Sequence, residues 1–438
     1  MPRLIAIAVA AWVVFMGLLP AARAADIREI TSPAGIKAWL LVDRSVPLVA
    51  LRYGFRGGTA LDPEDKAGLS EITANLLNDG AGDFEALQFQ GWLEDRSVQL
   101  GFNVDADMFG GRLKTLKEHA GPAFDMLGLA LTKPRFDAAD IERTRAQMIS
   151  QIARQSQRPG TIANRRWNAA VYPDHPYGRP GSGSEEGLKA VTRDDMVGLV
   201  KARFGRDQLD IAIVGDLDER EAGALIDRAF ASLPAQAAPF TVPEAKPHQA
   251  GLIVVPLDVP QSTVVFGQAG LKRDDPDFYA AFVLMHVLGG SGFASRLMYE
   301  VRETRGLAYS IYSYLLPRQV GGLIVGGVGT ENDRVAQTIE IVRAEWARAR
   351  DHGLSDDELA SAKTNINGGF ALRFTSTDRI ADQLLSIKSE KLGLDYIKRR
   401  ADYFNAVTAE DVRRVAKRLL DPDNLTIVVV GRPKGLNG

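Results

Sequence analysis

Cysteine is missing from this chain altogether, and histidine occurs only five times in 438 residues. Without a thiol there is no disulfide, no thiolate nucleophile, no iron–sulfur cluster and no cysteine-ligated zinc. An excess of charge of one sign is missing too, because 53 Lys and Arg face 55 Asp and Glu, a net −2. That balance gives no overall attraction to nucleic acid or anionic lipid, and neither is expected as a partner. Beyond Leu19 no apolar run approaches the roughly 18 residues that read as a membrane span. The pattern G-x-S-x-G is absent, and so is the Gly-Lys dipeptide of a phosphate-binding loop. These absences leave an unrelated serine hydrolase or nucleotide-binding enzyme with little support.

What remains is an ordinary globular composition, 45% hydrophobic and 25% charged, in a chain long enough for two or three domains. The N-terminus is different. Arg3 precedes an apolar run from Leu4 to Leu19, followed by Pro20 and the small-x-small triplet Ala22-Arg23-Ala24. This pattern predicts a signal peptide over residues 1–24, cleaved after Ala24, and export to a bacterial periplasm with no membrane attachment afterwards. Retention as an uncleaved anchor is the alternative.

The rest of the chain repeats itself once. Val46-Pro47, Tyr53-Gly54, Gly57 and Pro63 recur as Val259-Pro260, Phe266-Gly267, Gly270 and Pro276, each pair 213 positions apart. Val191-Thr192, Asp195, Leu209 and Gly215 recur 216 positions on as Val407-Thr408, Asp411, Leu425 and Gly431. Phe136-Asp-Ala-Ala-Asp-Ile141 matches Leu354-Ser-Asp-Asp-Glu-Leu359 at a spacing of 218. Three matches in one order, with slowly drifting spacing, indicate duplication. Pro234, Pro239, Pro243 and Pro247 stiffen a polar and alanine-rich segment between the copies. We therefore divide the chain into residues 25–232, a linker over 233–250, and residues 251–438.

Each half reads as α+β. Leu48 to Phe55 and Ser262 to Ala269 have strand character, and Asp210–Val214 and Thr426–Val430 read as closing strands. Leu69, Ile72 and Leu76 predict a helix opening after Gly68, and a longer one runs from Asp137, its expected N-cap, to about Gln155. Thr192 with Asp195, and Thr408 with Asp411, have the spacing of capping boxes. The expected architecture is two homologous halves, each a helix-covered, mostly antiparallel sheet.

Three segments carry a family resemblance: Gly57-Gly58-Thr59 to Gly80, Tyr172-Pro-Asp-His-Pro-Tyr-Gly-Arg-Pro180, and Gly289-Gly-Ser-Gly292 through Tyr309. Together with the duplication, they resemble the insulinase/pitrilysin zinc peptidases, the inverzincins, which include the mitochondrial processing peptidase. The resemblance implies the LuxS/processing-peptidase-like metallopeptidase fold. In that family one half carries H-x-x-E-H on its first helix. Two histidines hold zinc, the glutamate activates the bound water, and a glutamate on a later helix is the third ligand.

Here the helix reads Gly68-Leu69-Ser70-Glu71-Ile72-Thr73-Ala74-Asn75. Aligned on the Gly-Leu, Glu71 stands at the first histidine, Ala74 at the base and Asn75 at the second histidine. Gln151 falls at the third ligand. Alanine cannot accept a proton, and Asn and Gln amides are weak zinc ligands. His119, His175, His248, His286 and His352 are scattered along the sequence, and His175 reads as a loop-packing residue. No metal is expected in this chain, and it should be inactive alone.

The other half keeps more. The family carries an Arg and, seven residues later, a Tyr, which reach the zinc site and hold the substrate carbonyl. Arg302-Glu-Thr-Arg-Gly-Leu-Ala-Tyr309 has that spacing, and both side chains offer donors to a developing oxyanion. Gly306 is expected to end the helix that bears Arg302. Gly289, Gly290 and Gly292 lie where the processing peptidase's non-catalytic subunit has a substrate-handling loop; a plain helix-to-helix connection explains them equally well. The resemblance therefore implies a non-catalytic subunit of a heterodimeric zinc peptidase acting on unfolded peptides. An H-x-x-E-H partner would hold the zinc, and the peptide would add as a strand to a sheet edge. The alternative is a catalytically silent scaffold or peptide-binding protein. A second copy in place of a different partner chain remains open.

Overall fold

The computed structural model describes residues 27–436. The expected leader, residues 1–24, lies outside the described residues. Six strands form the first sheet: β1 (Ile27–Thr31), β2 (Lys37–Val42), β3 (Leu48–Arg56), β4 (Gln99–Val104), β5 (Met108–Leu116) and β6 (Leu209–Gly215), in the order β1-β2-β6-β3-β5-β4. Five form the second: β7 (Leu252–Pro256), β8 (Gln261–Ala269), β9 (Ala308–Arg318), β10 (Gly321–Glu331) and β11 (Thr426–Gly431), in the order β7-β11-β8-β10-β9. Both sheets are antiparallel except for β2 with β6 and β7 with β11. With β1 set aside, the two orders superimpose strand for strand, so the duplication is structural. The fold is α+β, as expected.

Each sheet packs its own helices on one face. In the first half Ile72, Phe89, Phe124, Leu199 and Phe230 bury themselves against that face, and Phe55 stacks on Phe204 at 4.6 Å. In the second, Leu284, Trp346, Val412 and Val415 do the same over Val264 and Phe266. The expected capping boxes form at Thr192/Asp195 and Thr408/Asp411. Asp137 occupies the N-cap of the Ala138–Gln155 helix, but its side chain makes no capping bond there. It pairs instead with Arg135 Nε at 2.7 Å.

The opposite faces are covered by exchange. The Pro159–Val171 helix of the first half lies on the second sheet, and its counterpart Thr377–Ser389 lies on the first. Trp167 is buried among Val265, Val325, Val428 and Val430, and its indole N–H donates to the Thr426 carbonyl at 3.0 Å. Reciprocally, Ala381, Leu384 and Ile387 pack on Trp39, Leu41, Ala50 and Val214. This exchange explains why the central strands carry apolar residues on both faces. Along β6, Ile211 and Ile213 face their own helices, whereas Ala212 and Val214 face the borrowed one. At the rim of the second contact the buried Arg52 guanidinium binds Asp378 at 2.9 Å, and it also meets Asp382. Between the halves, residues 234–250 form a strap with no helix or strand. It is pinned where the Ala245 N–H donates to the Val320 carbonyl (2.6 Å) and the His248 N–H to that of Val171 (2.7 Å).

Candidate functional site

Two places carry the residues singled out above. In the first half, Gly68 takes φ +103 and starts the Leu69–Leu76 helix, a conformation that costs glycine little. Leu69, Ile72 and Leu76 turn into the core. Glu71 and Asn75, one turn apart, face a cleft of about 190 Å³ against the Ala138–Gln155 helix. Gln147, Gln151 and Gln155 line its far wall, and Ser182 closes one side. Glu71, Asn75 and Gln151 are thus brought together, while Ala74 is buried beside them. The Asn75 amide donates back to the Glu71 carbonyl at 2.8 Å. Burial pushes the Glu71 carboxyl above its ordinary range, and the negative charge of Asp62 adds to the rise.

This donor set does not fit zinc. It offers one carboxylate and two amides, and alanine stands where a base would have to be. Among the described residues no three His, Asp or Glu side chains lie close enough to hold a metal ion. His175 is committed to its loop: Nδ1 accepts from the Tyr177 N–H at 3.1 Å, and Nε2 meets the Pro243 carbonyl at 3.0 Å.

In the second half, Ser295 caps a short helix, Arg296–Met298, which widens into a π-turn over Tyr299–Glu303. Gly306, at φ +58, donates to the Arg302 carbonyl at 3.0 Å and ends it. The chain then enters β9 with Tyr309 at its start. Arg302 and Tyr309 meet: the guanidinium carbon lies 4.8 Å from the centre of the phenol ring. Tyr309 is 81% exposed, so its ring stands in solvent and no core holds it. The terminal guanidinium nitrogens and the Tyr309 hydroxyl make no hydrogen bond to other described residues; Glu303 approaches only Arg302 Nε, at 3.4 Å.

The glycine segment is less loop-like than its sequence suggests. Gly289 and Gly290 end a π-turn over His286–Gly290. A Cβ at Gly289 would fall 2.3 Å from the Ser313 nitrogen, so this glycine is there for close packing against β9. Gly292 alone takes a left-handed φ, +59.

Residues 190–366 match the family model described as the peptidase M16 inactive domain. Over that stretch the chain is similar to the M16 peptidases. An uncharacterized zinc protease of Streptomyces coelicolor is 27% identical over 90% of this chain and 87% of its own length. A non-peptidase homolog of Helicobacter pylori is 24% identical over 96% and 97%. The crystal structure of a peptidase M16 inactive domain from Pseudomonas fluorescens superimposes with a TM-score of 0.88 at 26% identity, covering 94% of this chain and 99% of that one. A chain of Complex III2 from Candida albicans shares the fold at TM-score 0.76 and 15% identity, over 94% and 97%.

The matched model is described as an inactive domain, and the cleft agrees with that likeness: Glu71, Asn75 and Gln151 make a poor ligand set for zinc, and Ala74 stands at the position of the base. One residue beside Arg302 escaped the sequence reading. Phe293, two-thirds exposed, places its ring 4.5 Å from the Arg302 guanidinium carbon, on a side chain that also meets Tyr309. Its only sequence signal is a large apolar residue directly after a left-handed glycine.

Proposed function

We propose that this chain is the non-catalytic subunit of a heterodimeric zinc peptidase, and that it supplies Arg302 and Tyr309 to the site of an H-x-x-E-H partner. The observation that carries the reading is the exposed Arg302–Tyr309 pair, whose terminal guanidinium nitrogens and phenol hydroxyl make no hydrogen bond to another described residue, Glu303 approaching Arg302 Nε alone. A buried pair with satisfied donors would serve packing; this one can receive a peptide carbonyl and its developing negative charge. Substrate would be unfolded peptide, taken up as an added strand. Of the corresponding edge strands β4 and β9, β9 is blunted, because the Ile311 N–H is engaged by Met298 sulfur at 3.3 Å and Pro317 has no N–H. The β4 edge, beside the Leu69–Leu76 helix, suits an added strand better, although its Leu100 carbonyl already accepts from Asn78. The N-terminal apolar run supports action in the periplasm.

A silent scaffold is the second reading, favoured by the name of the Helicobacter pylori relative. The two separate when the chain is purified alone and together with an H-x-x-E-H subunit, with zinc and an unstructured peptide. The proposal expects a stable complex and cleavage only in the mixture. A complex without cleavage supports the scaffold, and cleavage by the isolated chain overturns both.

A further inference from the structure

Arg302 has two aromatic neighbours, and the sequence pattern accounts for only one. Its guanidinium carbon lies 4.5 Å from the Phe293 ring centre and 4.8 Å from that of Tyr309. Both rings are largely in solvent, at 67% and 81% exposure. An exposed phenylalanine gains nothing from burial where it stands, and its packing contribution to the fold is small. What the position does supply is a π-face for a cation.

The backbone around it is built for that delivery. Gly289 packs against Ser313 of β9 and anchors the segment. Gly292 at φ +59 reverses the chain immediately before Phe293. Ser295 then accepts from the Met298 N–H and starts the helix that bears Arg302. Both rings lie within cation–π distance of the guanidinium; Glu303 approaches Nε at 3.4 Å, and the terminal nitrogens make no hydrogen bond to another described residue. A long arginine side chain loses rotamer freedom on being fixed, and aromatic contacts made beforehand remove part of that cost from binding.

We propose that Phe293 is a positioning residue of the Arg302 site: it holds the guanidinium edge-on for a peptide carbonyl and favours peptides with an apolar side chain beside that carbonyl. This inference rests on the proposed function and deepens it. It also gives the Gly289–Gly292 segment a definite role, which is to present one ring.

The test uses the complex with the H-x-x-E-H subunit and a pair of peptides differing only in an apolar or a charged residue beside the cleaved bond. Phe293→Ala is expected to raise KM about two- to fivefold on the apolar peptide, the size of an exposed cation–π contact. It should leave kcat nearly unchanged and narrow the preference between the peptides. Phe293→Tyr is expected to restore KM, and Phe293→Leu, similar in bulk but without a π-face, is not. If Phe293→Ala or Phe293→Leu behaves like the parent while Arg302→Ala is impaired, the inference is overturned and the proposed function stands. If Arg302→Ala is itself without effect, the proposed function fails and this inference fails with it.

Discussion

Asn75 donates its side-chain amide to the carbonyl of Glu71, one turn earlier on the same helix, at 2.8 Å. The residue at the second metal-ligand position is thereby turned back onto its own helix, in a cleft whose only carboxylate is Glu71. Metal binding should therefore be absent from the parent chain and recoverable by substitution. The combination Glu71→His, Ala74→Glu, Asn75→His and Gln151→Glu is expected to take up one zinc per chain, because the cleft geometry is retained. Titration against a chromophoric chelator reads both proteins. One equivalent of tightly held zinc in the parent chain would refute the degenerate-site account.

Glu71 also gives a pH prediction. Burial and the Asp62 charge hold its carboxyl above its ordinary range in the folded state. The folded chain therefore binds that proton more tightly than the unfolded chain does. Ionising Glu71 costs stability, and the cost is complete above the folded pKa and absent below the unfolded one. Glu71→Gln should raise Tm at pH 8 and leave it unchanged at pH 4. An equal shift at both pH values would place the effect elsewhere.

The exchanged helices should make the halves one cooperative unit. Trp167 is 1% exposed between them and bonds to Thr426. Trp167→Ala is expected to cost about 3–5 kcal/mol in chemical denaturation. A loss below about 1 kcal/mol, or two separate transitions in the parent chain, would argue against that coupling.

Gly289 and Gly290 should respond differently to a methyl group. At Gly289 the added carbon meets β9 backbone at 2.3 Å, whereas at Gly290 the nearest atom, the Met285 carbonyl oxygen, is 3.3 Å away. Gly289→Ala should cost on the order of 1–3 kcal/mol and Gly290→Ala clearly less. Equal tolerance at both positions would restore the flexible-loop reading.

The parts of the fold legible in sequence were those written in local pattern. The duplication could be read because turn glycines, prolines and caps are short-range devices that both copies kept. The helix exchange could not. Pro159–Val171 and Thr377–Ser389 have one apolar face each, as any surface helix does, and nothing local says which sheet that face will meet. The trace it left was in the strands: Ile211 to Val214 of β6 and Ile427 to Val430 of β11 are continuously apolar because both their faces are covered. At the site, Glu71, Asn75 and Gln151 could be related through the family pattern across 80 positions. Phe293 belongs to no such pattern, and its meaning depends on where Gly292 turns the chain.

The central claim is that Arg302 and Tyr309 act on substrate bound at a partner's zinc. The most direct measurement is kcat/KM for an unstructured peptide, using the zinc-loaded mixture with the H-x-x-E-H subunit. We expect Arg302→Ala and Tyr309→Phe each to lower it about 100-fold, the lower end of the range for a lost oxyanion donor. Complex formation should be unaffected. Activity within twofold of the parent mixture for both variants, or cleavage by this chain alone, would contradict the account.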